Sequence, residues 1–388
     1  MLIIWTMTLL SALAVAIYAA WTVLFVRNCP VLRPGGPPDD DAPLISIVVP
    51  ARNEAANIER CVRSLLAQNY PRLEVIAIDD ASTDATPEIL ARLAAEDSRL
   101  LVVAGAPLRP GWTGKNNAVA QGVRHAHGEW LLFVDADVCL HQGALSGAYQ
   151  TATQRGIAMV SLWARQELLS FWERVAQPVI IGVNMVSDPL LLCNSPRFPR
   201  MALGNGQFIL IDRTVYRRIG GHEAVRDEVV EDQMLSRNVK EAGHRLLMMD
   251  GSAVLSTRMY DSLQGVWEGW SKNNFLTLGR SFVVVVVASL CLYLVGIGPF
   301  VMALWTLVAT KFSQHFFDPL IINLLAIALL FWSRWFSRRF APVPLRDILW
   351  HPVGALVFMG IILNSAYQHT WGRGVTWKGR RYREETAG

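Results

Sequence analysis

Read by hydropathy, the chain has apolar ends around a middle of mixed character. Residues 2–26 carry no charge and are long enough to span ~30 Å of hydrocarbon. Further apolar runs cover about 282–309, 319–336 and 349–366, with Pro352 and Gly354 making the last the weakest. Between them, short β-branched runs alternate with segments of helical period. Ile45, Val48 and Val49 form a run ending at Pro50, and Ile58, Val62, Leu65 and Leu66 share a helix face that stops at Asn69–Pro71. Val75, Ile76 and Ile78 lead into Asp79-Asp80. A helix follows, with Thr86 read as N-cap and Pro87 in its first position, and then a third strand over Leu101–Val103. This alternation predicts an α/β domain with a mostly parallel sheet covered by helices, a nucleotide-binding type of fold.

Leu131–Val134 reads as a buried strand ending in Asp135 and Asp137. If the chain stays extended, both acids leave on one face. Two oxygen donors at a strand's C-terminal end suit Mg²⁺ or Mn²⁺, with a phosphate supplying other ligands. Taken alone, the pair could equally end the strand and cap the next helix. Gly111–Asn117 is a glycine-rich turn running into a helix, where backbone N–H groups and Lys115 suit an anion. It is not a Walker A loop, because Arg109 stands where the first glycine would be and Asn116 replaces the magnesium-binding Ser/Thr. A plain capped turn stays open on this motif alone. Gly204–Phe208 reads as a turn entering a strand over Phe208–Ile211. Asp232 opens a helix whose apolar face holds Met234, Leu235 and Val239 and whose end is marked by Gly243. Adjacent charge and the helix dipole push its pKa in opposite directions, so the sequence leaves that direction open. Around 160–210, Trp163, Leu168, Leu169, Phe171, Trp172, Val175 and the run Val179–Val183 fit either a core or a surface facing lipid.

Composition narrows this picture. The chain has 388 residues, 52% of them hydrophobic, and a mean hydropathy of +0.28, too apolar for an ordinary soluble protein. The five cysteines are scattered and suggest neither zinc nor a disulfide framework. A net charge of +4, with basic residues beside apolar spans, favours a membrane surface and argues against nucleic acid. The expected organisation is a retained anchor over 1–26, a Pro/Gly-rich linker over 27–43, a catalytic domain over 44–261, an interfacial helix over 262–281, a transmembrane region over 282–366 and a basic tail over 367–388. Arg27 and Arg33 after the anchor place residues 27–280 in the cytoplasm. Three further spans would put Arg334, Arg338, Arg339 and Arg346 inside, as that rule wants, but the tail with Arg373, Lys378, Arg380, Arg381 and Arg383 outside. One apolar segment is therefore expected to be re-entrant or interfacial.

Pro50-Ala51-Arg52-Asn53-Glu54, Ile78–Asp84, Asp135-Ala136-Asp137 and Glu231-Asp232, in this order, resemble the signature of the family-2 glycosyltransferases. Gly111–Lys115, Gly204–Phe208 and Trp267–Lys272 are similar to membrane-anchored members that glycosylate lipids, those associated with carotenoids and hopanoids above all. The resemblance covers roughly residues 44–275. It implies a GT-A fold and an inverting transfer from a nucleotide sugar, taken as a UDP-sugar, to the hydroxyl or carboxyl of a lipid acceptor at a bacterial-type plasma membrane. By the same resemblance, Glu54 and Asp80 contact the base and ribose of the donor, and Pro50, Arg52, Lys115 and Asp135 line its site. Asp137 and Asp135 hold the divalent metal, and Asp232 is the catalytic base. Gly206, Gln207, Glu231, Trp270 and Lys272 fall on the acceptor side. Processive polysaccharide synthases carry a Gln/Arg-x-x-Arg-Trp motif where this chain matches only Trp270, with Val266 and Gly269 in the polar positions. That departure weighs against the first rival reading, a polysaccharide synthase. The second rival, a catalytically silent membrane scaffold, is disfavoured because every acid of the signature is present.

Overall fold

The computed structural model describes residues 1–187, 189–371, 375–377 and 380–382; Arg373, Lys378 and Arg383 of the expected basic tail lie outside the described residues. The chain forms two compact units. One comprises Cys29–Glu167 and Pro189–Met259, and the other Met1–Asn28, Leu168–Asp188 and Tyr260–Gly388.

The first is the sheet unit. Its strands are β1 (Ile45–Ala51), β2 (Leu73–Asp79), β3 (Leu100–Ala104), β4 (Trp130–Phe133), β5 (Val138–Leu140), β6 (Met159–Trp163), β7 (Arg165–Gln166), β8 (Ile209–Asp212), β9 (Leu246–Asp250) and β10 (Leu255–Thr257). Seven of them make the central sheet in the order β3-β2-β1-β4-β8-β6-β9, parallel throughout except for β8. The apolar runs alternate in facing, as strand geometry requires. Ile45, Ile47, Val49, Val75 and Leu132 pack against the helices Ile58–Leu66 and Ala144–Arg155 on one face. Val48, Ile76, Ile78, Leu131 and Phe133 pack against Gly114–His125 and Glu231–Glu241 on the other. Pro50 is tolerated inside β1 because β4 pairs with β1 only as far as Val48. The helix expected to be capped by Thr86 instead has Ala85 at the cap position. Its first N–H groups are served by Asp84, whose Oδ1 accepts from the Thr86 backbone N–H at 3.1 Å and from its hydroxyl at 2.6 Å. The stretch before β1 lacks regular structure, as its prolines and glycines imply, yet it is strapped down. Leu32 is buried and its N–H donates to the Asp250 carbonyl, the Asp250 N–H donates to the Pro30 carbonyl, and the Gly35 N–H donates to the Gly143 carbonyl.

The second is a helical unit. The ambiguous segment resolves here: Phe171–Ser187 is one helix with Val175, Ala176, Val179 and Ile180 buried, clustering with Leu263–Thr277 and His351–Thr370. Among the described residues, three helices, Leu2–Asn28, Gln314–Phe336 and Leu345–Thr370, are long and apolar enough to cross a membrane. The last span, which Pro352 and Gly354 mark as the weakest, is one continuous helix. Pro352 sits in the first turn of its helix, where a missing N–H costs nothing, and Gly354 permits close approach to the Val175 carbonyl. The apolar run over 282–309 is instead bent by 47° between Phe282–Gly296 and Gly298–Ala309, where Pro299 starts a new helix. Leu2–Asn28 and Phe317–Phe336 run in the same direction. Asn323 donates to the Thr8 hydroxyl near one end, and Arg339 donates to the Val26 carbonyl near the other. Arg338 and Arg339 therefore lie at the same end of the helical unit as Arg27.

Candidate active site

The site is built at the C-terminal edge of the sheet, where β1, β2 and β4 release their loops and the single antiparallel strand, β8, enters. Because β8 runs against β4, with Phe133 opposite Ile209, the turn before it stands beside the loop after β4. The extended geometry expected for Asp135–Asp137 is not found. β4 stops at Phe133, and a turn closed by the Val138 N–H on the Asp135 carbonyl carries both acids. The chain must turn there because β5 joins a different sheet, with β10 and β7.

Lys115 reaches this edge from the first turn of Gly114–His125, whose Asn116 N–H is capped by the Thr113 hydroxyl. Its Nζ lies 2.6 Å from Asp135 and 2.8 Å from Glu231. Burial alone would lower the lysine's pKa, but Asp135, Glu231 and Asp232 more than offset it and hold the ammonium charged. Glu231 and Asp232 open the helix Glu231–Glu241, so their carboxylates also meet its positive end. Asp232 accepts from the Gly206 N–H at 3.0 Å and from the Gln233 N–H at 2.8 Å. The direction left open by the sequence is upward: burial first, then Glu231, pushes its carboxyl up to about 6, against the lowering by Lys115 and the two N–H groups. Gly206 is what allows the cluster to close. A Cβ there would lie 2.5 Å from Lys115 Nζ and 3.4 Å from Asp135 Oδ2. Gln207 is buried, with its Oε1 accepting from Asn205 at 3.0 Å.

The β1 and β2 loops are locked together. Arg52 donates to the Asp80 and Ala81 carbonyls at 2.6 and 2.9 Å, and Asn53 accepts from the Thr83 N–H at 2.8 Å. Asn53 and Ala81 both take left-handed φ, +52° and +54°. Asp80 is buried at this junction, and Glu54 accepts from Asn57 at 3.2 Å. Trp270 and Lys272 belong to the helical unit. Trp270 Nε1 donates to Gln177 at 3.0 Å, and the Lys272 carbonyl contacts His369 at 3.1 Å. Sequence reasoning missed Asn116, fully buried, whose Nδ2 donates to the Val225 and Glu228 carbonyls at 2.7 and 2.9 Å and so fixes the loop before Glu231. It also missed His222, which burial and then Lys115 depress to about 3 and which bonds the Tyr216 hydroxyl at 2.9 Å. Neither carries a local signal, because each partner lies in a loop distant in sequence or on an unremarkable tyrosine.

Residues 46–220, which hold the β1, β2 and β4 loops, Lys115 and Gly206, match the family described as Glycosyl transferase family 2. The chain carries a family-2 glycosyltransferase domain. It is 27% identical over 348 residues to the 4,4'-diaponeurosporenoate glycosyltransferase of Staphylococcus aureus (strain USA300), covering 87% of this chain and 88% of that protein. The same enzyme from strain MRSA252 is 26% identical over the same span. Among solved structures, the mannosyltransferase PcManGT from Pyrobaculum calidifontis, in complex with GDP-Man and Mn2+, superposes with a TM-score of 0.50 at 20% identity, over 94% of this chain and 99% of that one. That likeness bears on the fold, which is of the GT-A kind. The chain is thus a glycosyltransferase related to a lipid-pigment glycosyltransferase, with apolar helices at both ends.

Proposed function

We propose that the enzyme moves one sugar from a nucleotide sugar, a UDP-sugar, to the hydroxyl or carboxyl of a membrane lipid, with inversion at the anomeric carbon. The observation that carries this reading is Asp232, whose carboxyl is raised to about 6 beside the Lys115–Asp135–Glu231 cluster. In the reaction the acceptor oxygen attacks the anomeric carbon from the face opposite the diphosphate. The carbon–diphosphate bond breaks, its electron pair leaves with the diphosphate, and a hydroxyl acceptor's proton passes to Asp232, whereas a carboxyl acceptor attacks as the carboxylate and brings no proton. A base with a pKa near 6 is mostly ionised at neutral pH yet basic enough to take that proton. Glu231 is occupied by Lys115, so Asp232 is the acid available for the task. Lys115 supplies a fixed positive charge for the leaving diphosphate.

Asp137 and Asp135 would hold Mg²⁺ or Mn²⁺. A carboxylate has about four lone-pair sites, so pairing with Lys115 leaves Asp135 capacity for a cation. Two carboxylates do not fill the coordination sphere of such an ion, so the donor's phosphates would supply further oxygens. The ion would neutralise charge growing on the diphosphate. Pro50, Arg52, Glu54 and Asp80 serve the nucleoside end, and Gly206, Gln207 and Glu231 the acceptor. The named substrate of the Staphylococcus aureus relative supports a lipid pigment as acceptor, and GDP-Man with Mn2+ in the mannosyltransferase supports this class of donor and cation. Gly269 supports single transfer over processive synthesis: a Cβ there would meet the Tyr260 ring at 2.3 Å, so the synthase arginine has no room. The sheet unit is taken to face the cytoplasm, where nucleotide sugars are made. Chelation tests the metal: excess EDTA should abolish transfer and Asp137→Ala should weaken donor binding and rate together, whereas full activity in EDTA refutes the assignment.

A further inference from the structure

Only Cys29 separates the apolar helix Leu2–Asn28 from the first lining residue of a groove in the sheet unit. The groove has a volume of about 570 Å³ and lies between the strap at 30–35 and the helix Ala144–Arg155, with Pro30, Val31, Arg33, Gln150, Gln154 and Arg155 among its lining residues. The strap is fixed at both ends. The Asp250 N–H donates to the Pro30 carbonyl at 2.8 Å, and the Leu32 N–H donates to the Asp250 carbonyl at 2.9 Å. Further along, the Gly35 N–H donates to the Gly143 carbonyl at 2.9 Å, and the Gln150 side chain donates to the Gly36 carbonyl at 3.1 Å. Gly35 lets the strap lie against the helix, because a Cβ there would lie 2.5 Å from the Gly147 nitrogen. The space is thus a preformed part of the sheet unit.

Its lining is one-sided in charge. Arg33 and Arg155 are exposed, and neither makes an ion pair among the described residues. Gln154 adds an amide, and no Asp or Glu lines the groove among the described residues. Two guanidinium groups and an amide at one groove, without an acid, suit an oxyanion, and the arginine fork fits phosphate in particular. Val31, 48% exposed, adds an apolar surface to the same lining. Position decides which phosphate. The 27 residues of Leu2–Asn28 are about 40 Å long at 1.5 Å per residue, enough to cross ~30 Å of hydrocarbon and reach through the headgroup layer. Two residues of chain span at most about 7 Å, so Pro30 stands at the headgroups or just outside them. Basic pockets at that height collect anionic lipids.

We propose that the groove between the strap at 30–35 and the helix Ala144–Arg155 binds the phosphate head of an anionic membrane phospholipid, with Arg33 and Arg155 pairing with it. The site requires the helix Leu2–Asn28 to lie in a bilayer, but it does not rest on the sugar-transfer reading.

The test uses the full chain purified in a neutral detergent, with the thermal unfolding midpoint followed during titration with dioleoyl phosphatidylglycerol, dioleoyl phosphatidylcholine or inorganic phosphate. Phosphatidylglycerol should raise the midpoint saturably. Phosphatidylcholine, whose choline cancels the phosphate charge, and inorganic phosphate, which has no acyl chains, should not. Arg33→Gln and Arg155→Gln should each weaken the phosphatidylglycerol response, and the two together should weaken it tenfold or more. Arg124→Gln removes the same charge at an exposed position that does not line the groove, and it should leave the response unchanged. Equal stabilisation by phosphatidylcholine overturns the proposal, as does an unchanged response in the double variant or an equal loss in Arg124→Gln. Equal stabilisation by inorganic phosphate refutes the lipid as the source of the phosphate. If the double variant does not fold, the two single variants make the same comparison, and unchanged phosphatidylglycerol affinity in both overturns the site.

Discussion

Replacing Asp232 with Asn separates the chemistry of this carboxylate from its place in the fold. Asn keeps the shape and one acceptor for the N–H groups of Gly206 and Gln233, but it cannot take a proton. General-base contributions are ~10²–10⁴-fold, so transfer to a hydroxyl acceptor should fall at least about a hundredfold. Stability should move the other way. The folded carboxyl titrates near 6 against an ordinary value of 3.8, so the folded state holds the proton more tightly. That stabilisation is full below about pH 4, fades as pH rises to about 6, and leaves an ionised carboxylate that disfavours folding above. At 1.36 kcal/mol per pH unit the effect is of order 3 kcal/mol, reduced by the ~1 kcal/mol lost where Asn leaves one N–H without an acceptor. Asp232→Asn should therefore unfold at the same or a higher temperature than the parent at pH 8, and lose that advantage at pH 4. Donor binding, followed by fluorescence or calorimetry, should change by no more than a few-fold, and the parent's kcat/KM should rise with pH up to about 6. Near-parental turnover with a hydroxyl acceptor would refute Asp232 as the base. A marked loss of stability at pH 8 would show the raised pKa to be wrong.

Two further outcomes follow from geometry. Gly206→Ala places a methyl 2.5 Å from Lys115 Nζ and must push the lysine from Asp135 and Glu231, because the backbone there cannot yield without losing the bond to Asp232. Transfer should drop more than about tenfold while the unfolding temperature changes little, since the displaced group is the end of a flexible side chain; unchanged kinetics would show the cluster to be incidental. The parallel run of Leu2–Asn28 and Phe317–Phe336 predicts that reporters inserted after residue 28 and after residue 340 respond from the same side of the membrane. Opposite responses would contradict that packing.

What was legible in the sequence was local. Strand alternation around Ile45–Val49 and Val75–Ile78 reported the sheet because each run is buried on both faces, and the helix Ile58–Leu66 announced itself by period and by its Asn–Pro stop. The acids Asp135, Asp137 and Asp232 were found by motif, but their arrangement was not. The bond from Lys115 to Glu231 joins positions far apart in sequence, and it depends on the missing side chain of Gly206. Composition could not show that Leu168–Asp188 clusters with the terminal helices, because an apolar stripe reads alike whether it meets a sheet or another helix. Which apolar segment departs from a straight span was not legible for a similar reason: proline at a helix start and proline in its middle look the same until the boundary is known.

The central claim is the transfer itself. Membranes containing the enzyme, supplied with radiolabelled UDP-sugars, GDP-sugars and a total lipid extract, should yield one organic-soluble product whose mass exceeds that of a single lipid by one sugar residue. Where the sugar is carried on a hydroxyl, Asp232→Asn should fail to make it. A water-soluble polymer, or the same hydroxyl-linked product from membranes carrying the Asp232→Asn enzyme, would contradict the account.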